Sequence, residues 1–167
     1  MDVIIVEGKS RSGKSSSLRY AMIELLKKEF KPIYNSKKYP NDDYNVFIKK
    51  LVNDFNTPKG YIGQITIAGT FSNKNICITT YGDSYKYDIK KAYDKGQECF
   101  GNKLDIFVCA AHGSGYDLAK KLGTPHPIHK NRSDRDDDLD KEYDIKKDID
   151  NKTCANEIVK EIETIIK

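Results

Sequence analysis

The sequence contains no apolar run near the roughly 20 residues that a membrane-spanning helix needs. No membrane span is therefore predicted. Its four cysteines, Cys77, Cys99, Cys109 and Cys154, show neither Cys-x-x-Cys nor Cys/His spacing, which argues against a zinc framework or a disulfide scaffold. Cys77 and Cys109 lie inside apolar runs and read as small core residues. The first apolar stretch, Val3 to Val6, leads straight into a polar glycine loop and does not resemble a signal peptide. These absences together predict a reduced, cytoplasmic protein. Arginine is scarce, at 4 residues against 25 lysines. The lysines are spread along the chain and interleaved with acids, so the formal charge of +4 reads as solvated surface rather than a nucleic-acid interface. No internal repeat is present.

Apolar residues make up 38% of the 167 positions and charged residues 32%. The apolar residues are too well patterned for a disordered chain, and the length suits one domain over residues 1–167. Val3 to Val6 is a β-branched run of the kind buried on both sheet faces. Leu18, Ala21, Met22, Leu25 and Leu26 recur at helical spacing between Ser15 and Glu29, and Pro32 stops that helix. "KPIYNS" follows as a short strand. Asn41 or Asp42 is placed to cap a second helix striped by Phe47, Ile48, Leu51, Val52 and Phe55.

"YIGQITIAG" and "KNICITTYG" read as strands joined at "TFSN" in an antiparallel hairpin. Asp83 or Ser84 is placed to cap a third helix carrying Tyr87, Ile89, Ala92 and Tyr93. "LDIFVCAAH" is a second buried strand, and Gly113 to Gly115 turns the chain into a short helix. Residues 123–150 are charged and poor in apolar side chains, and read as an exposed segment or lid in which "PIH" or "YDI" supplies an edge strand. Helical periodicity resumes at Thr153, giving a C-terminal helix over residues 151–167. Strands alternating with helices predict a three-layer α/β domain, with a mostly parallel sheet and one antiparallel hairpin.

The loop "GKSRSGKS", Gly8 to Ser15, fits G-x-x-x-x-G-K-[ST] at every fixed position. Small residues let backbone N–H groups wrap a phosphate chain. The helix that starts near Gly13 adds the positive end of its dipole. Lys14, expected to face solvent when no ligand is bound, reaches the outer phosphates, and the Ser15 hydroxyl is placed to ligate magnesium. Gly8, Lys9, Ser10, Arg11, Ser12, Gly13 and Ser16 complete the candidate cradle. The alternative is a Ser/Gly-rich turn that binds nothing. Because the motif follows a buried-strand pattern and opens an amphipathic helix, the chain resembles the P-loop NTPase superfamily. That resemblance implies a Mg–nucleoside triphosphate ligand, most simply ATP with Mg2+, and chemistry at the β–γ bond.

Lys9 lies five residues before Lys14, the spacing of the extra lysine in MinD/ParA-like ATPases. The loop is partly similar to theirs, although those loops have glycines where Ser10 and Arg11 stand. The likeness implies a homodimer in which that lysine reaches the partner's nucleotide. Otherwise Lys9 is a solvated surface residue. The hairpin leading into "TTYGDS" resembles the Ras-like GTPase layout, with Thr79 where that family has an Asp and no Asn-Lys-x-Asp motif for guanine.

Such enzymes usually hold magnesium through an acid at the end of a neighbouring strand. Asp83 is the main candidate, as metal ligand or catalytic base, and a helix cap is its structural alternative. Glu7 is a weaker candidate, and Asp105 lies at the wrong end of its strand. Arg132 and Arg135 sit where small-molecule and nucleotide kinases carry lid arginines that act on the transferring phosphoryl group, although neighbouring aspartates could simply pair with them. His112 is delivered to the active-site edge by its strand, placed to contact the substrate or the nucleotide's phosphates, and a strand-end histidine with an ordinary hydrogen bond is its structural alternative. His126 and His129 could join aspartates around a metal, but isolated loop histidines usually do not. Two functions follow: a phosphotransferase acting on a small-molecule or nucleotide acceptor, or a switch-type NTPase signalling to a protein partner. A nucleotide-binding protein with little turnover is the third.

Overall fold

The computed structural model describes residues 1–9, 12–37, 43–55, 64–81, 86–130 and 141–167. The chain forms β1 (Asp2–Glu7), α1 (Lys14–Lys27), β2 (Lys31–Asn35), α2 (Tyr44–Phe55), β3 (Thr66–Phe71) and β4 (Lys74–Thr79). It continues with α3 (Lys86–Cys99), β5 (Ile106–Ala111), α4 (Ser114–Lys120), β6 (Thr124–His129) and α5 (Lys141–Ile166).

Among the described residues, six strands make one sheet in the order β2-β3-β4-β5-β1-β6. β1 pairs in parallel with β5 and β6, and β4 pairs in parallel with β5. Only β3 is reversed, antiparallel to both β2 and β4. β3 and β4 form the expected hairpin. Its turn has positive φ at both Ser72 (49°) and Asn73 (65°), the backbone twist that suits a two-residue hairpin connection.

The alternation of β1 divides the core. Ile4 and Val6 pack with α1, α2 and α5 on one face, and Val3 and Ile5 pack with α3 and α4 on the other. The result is the expected three-layer α/β architecture. β1 and β5 lie inside the sheet with helices on both sides, so their apolar runs are unbroken. Cys77 and Cys109 are buried core residues, as expected, and burial pushes the Cys109 thiol up to about 12.

Three boundaries need correction. α2 is capped by Asp43, whose Oδ1 accepts the Val46 N–H at 2.9 Å, rather than by Asn41 or Asp42, which lie outside the described residues. β3 begins at Thr66 rather than Tyr61. In the stretch 123–150 the expected edge strand does form at "PIH", as part of the six-residue β6. "YDI" belongs to α5, a helix of 26 residues that starts at Lys141 rather than at Thr153. The remainder of the expected lid, with Arg132 and Arg135, lies outside the described residues.

Candidate functional site

Because five strands run in one direction, the carboxyl ends of β1, β4, β5 and β6 share an edge of the sheet. In an open α/β sheet such an edge is where ligands bind. The glycine loop leaves β1 there. Gly13 takes a left-handed conformation (φ 90°), and α1 starts at the next residue. Ser17 N–H donates to Gly13 O at 2.9 Å and the Ser17 hydroxyl donates to the same oxygen at 3.2 Å. The first turn is thereby fixed on the loop.

Both motif glycines are also required by the chain's own packing. A β-carbon at Gly8 would lie 2.3 Å from the carbonyl oxygen of Lys130, just past β6. One at Gly13 would lie 2.2 Å from Asn151 Oδ1 in α5. The Lys130 N–H donates to Glu7 O at 2.8 Å, which closes β6 against the start of the loop.

Lys14 corrects an expectation. It does not face solvent but is only 2% exposed. Its Nζ folds back over the loop and donates to Gly8 O at 3.0 Å and Lys9 O at 2.8 Å. The reason is physical: the loop's own carbonyls are the nearest acceptors, and a buried ammonium must be hydrogen-bonded. Ser12 is buried as well, and its hydroxyl has no hydrogen-bond partner. Ser15 donates its hydroxyl proton to Thr80 O at 3.1 Å, just past β4, which ties the start of α1 to a strand two places away in the sheet. Ser16 is half-buried in the first turn of α1, and Lys9 is exposed at the loop's edge. Ser10, Arg11 and Asp83 lie outside the described residues.

Thr79 is taken up by the sheet. It is fully buried, its hydroxyl is 2.8 Å from that of Thr66, and it accepts the Tyr81 N–H at 3.2 Å. Asp105 is structural too, since its Oδ2 accepts the Asn75 N–H at 2.8 Å.

A cavity of about 640 Å³ adjoins the loop, lined by Glu7, Lys9, His112, Tyr116, Asp117 and His129 among others. It lies on the α4 side of the sheet. His129 Nδ1 is 3.4 Å from Glu7 Oε1. Burial first, and then the Glu7 carboxylate, push the Tyr116 hydroxyl above its usual value. His112 is thus delivered to the site edge by β5, and Glu7 joins it.

His126 stands apart. Its Nδ1 and Nε2 lie 2.8 Å from Glu161 and 2.9 Å from Asp2. Among the described residues, no group of three or more His, Cys, Asp and Glu side chains is placed to hold a metal. Nor is any helix among them long and apolar enough to cross a membrane.

Three residues at the site were not singled out in the sequence. Asn151 is buried with Oδ1 unpartnered. Lys130 is also buried; desolvation holds its ammonium below the usual lysine value, against the opposing pull of Cys154, Asp150 and Glu157. Tyr116, in α4, lines the cavity. No local pattern distinguishes any of them, because each acquires its place through a contact with a distant element.

Compared with family models, curated proteins and solved structures, the chain finds no match.

Proposed function

We propose that the chain binds a Mg–nucleoside triphosphate, most simply ATP, in the loop from Gly8 to Ser16 and transfers its γ-phosphate to a small-molecule or nucleotide acceptor. The observation that carries this reading is Lys14. Its ammonium lies across the loop, held by the carbonyls of Gly8 and Lys9. A phosphate oxygen would take over those bonds with gain, since it offers the ammonium a full negative charge where a carbonyl offers only a partial one. The unpartnered Ser12 hydroxyl and the left-handed Gly13 at the start of a 14-residue helix fit the same ligand. Ser15 would hold the magnesium ion, with Asp83 as the expected carboxylate. The ion would neutralise charge that develops on the transferring phosphate. Arg132 and Arg135 would act on the transferring group. A cytoplasmic location belongs to the same reading.

Calorimetric titration of Lys14→Met with Mg–ATP tests it. Methionine keeps the buried stem and removes the charge, and unchanged circular dichroism would establish that the fold survives. Loss of binding is expected. Equal affinity in both proteins would remove the phosphate-cradle reading.

A second reading, a switch-type NTPase that signals to a protein partner, is favoured by one observation. Lys9 is exposed at the loop's edge, where it would be open to a second copy in a homodimer.

A further inference from the structure

The 640 Å³ cavity shares Gly8 and Lys9 with the loop but is walled by residues that a triphosphate does not need. Its polar groups are two carboxylates, Glu7 and Asp117, two imidazoles, His112 and His129, the Tyr116 hydroxyl and one lysine, Lys9. A site for an anionic molecule would invert that balance, since a phosphate or carboxylate would face Glu7 and Asp117 with a single ammonium to offset them. The size is within the roughly 300–1,000 Å³ of small-molecule sites.

A larger cavity, about 720 Å³, lies on the same face of the sheet, between α3 and the strands β2 and β3. Several of its charges are already engaged along α3, as Lys90 with Asp94 and Lys95 with Glu98. Glu7 is arranged differently. His129 approaches one oxygen at 3.4 Å and the Tyr116 hydroxyl lies against the carboxylate. A carboxylate offers about four acceptor positions, so these two neighbours orient it and leave capacity for a hydroxyl from a ligand.

We propose that this cavity binds a hydroxyl-bearing small molecule that carries no negative charge, with its hydroxyl on Glu7. This deepens the phosphotransfer reading and rests on it, because Glu7 immediately precedes Gly8. In that reading the hydroxyl oxygen forms a bond to the γ-phosphorus while the bond from that phosphorus to the β–γ bridging oxygen breaks. The nucleoside diphosphate leaves with the electron pair. The hydroxyl proton passes to the Glu7 carboxylate and from there to water. Glu7 is then the general base, and Tyr116 and His129 are positioning residues.

The test is an amide NMR titration of the whole chain with glucose, uridine and ethanolamine, and separately with the phosphate monoester of each. Mg–ATP is titrated in the same samples. At least one of the three non-anionic compounds should shift the Gly113, Tyr116 and His129 signals saturably, and its monoester should bind about tenfold or more weakly. Glu7→Gln should weaken that binding about tenfold, the loss expected of one hydrogen bond to a charged acceptor, while Mg–ATP affinity stays within about twofold. Tyr116→Phe should slow turnover with the bound compound and leave its affinity nearly unchanged. Absence of saturable shifts with all three compounds, monoesters binding as well as their parents, or an indifferent Glu7→Gln would each overturn the proposal. Mg–ATP is read out separately at Gly13, Lys14 and Ser15. Silence there with a working cavity would count against the loop reading alone.

Discussion

The carboxamide oxygen of Asn151 occupies the space that a β-carbon at position 13 would need, leaving 2.2 Å between them. A residue deep in the last helix therefore shapes the loop–helix junction at the other end of the chain. Asn151 is buried, so its side chain has little room to turn aside from the contact.

Gly13→Ala should therefore destabilise the fold for two reasons: overpacking, at roughly 1–3 kcal/mol, and a left-handed φ for a residue with a side chain, at roughly 1–2 kcal/mol. Adding Asn151→Gly to Gly13→Ala should recover the first part and leave the second. Denaturant unfolding of the two single variants and the double variant checks this as a cycle. Simple additivity of the two costs would mean that the contact does not constrain the loop.

The same contact shows which features were legible in the sequence. β1 and the loop were readable because both are local, a β-branched run followed by a fixed glycine–lysine–serine spacing. The start of α5 was not. Between Lys141 and Lys152 the apolar residues are few, and Ile145 and Ile149 are exposed, so no apolar stripe marks a helix there. Polar contacts hold the stretch instead: Lys152 pairs with Asp148 at 2.7 Å, and the Tyr20 hydroxyl of α1 donates to the same carboxylate.

β6 was only partly readable because Pro125 and Pro127 argue against a strand. They are tolerated because β6 is an edge strand paired with β1 alone. Thr124 and Lys130 donate their N–H groups to the carbonyls of Met1, just before β1, and Glu7, at its end, so the alternate positions, including both prolines, turn their missing donors outward. The buried state of Lys14 could not be read either, since it depends on how the loop closes.

The link between α1 and α5 should appear in the acid limb of stability. Burial alone would raise the Asp148 carboxyl, but its hydrogen bonds from Lys152 and Tyr20 outweigh that and hold it below its ordinary value of 3.8. A folded-state value below the unfolded one contributes stability that is present above the unfolded value and is lost as pH falls through the folded one. Tyr20→Phe removes one of the two bonds. The variant's Tm should be lower than the wild type's near neutral pH, and the two curves should converge once the carboxyl is protonated in both. A Tm difference that stays constant down to the most acid pH would mean that Tyr20 acts through packing alone.

Asp83 offers two roles that substitution separates. If it serves the metal, Asp83→Asn should cut turnover by roughly 10²-fold or more. If it only caps the following helix, the change should cost little, because Asn caps about as well as Asp. Steady-state turnover with Mg–ATP, measured beside the melting temperature, decides between them. Unchanged turnover would assign Asp83 to structure.

The two leading functions differ in how many chains make one site. In a phosphotransferase the lid arginines act within the same chain. Specific activity should then be independent of enzyme concentration, and Arg132→Ala with Arg135→Ala should depress the rate more than ATP affinity, because arginine meets charge that develops in the transition state. In a switch of the MinD/ParA-like kind, Lys9 would act across a dimer. It is exposed and its side chain is not needed to hold the loop, since Lys14 and Ser12 bond only its backbone carbonyl. Lys9→Ala should then fold normally, bind Mg–ATP as one chain does, and lose any rise of specific activity with concentration. ATP turnover over a wide range of enzyme concentrations, for wild type and Lys9→Ala, separates the two. A flat wild-type profile stimulated by an added hydroxyl compound supports phosphotransfer. A rising profile that Lys9→Ala flattens supports the switch, and a rise that survives in the variant removes Lys9 from it.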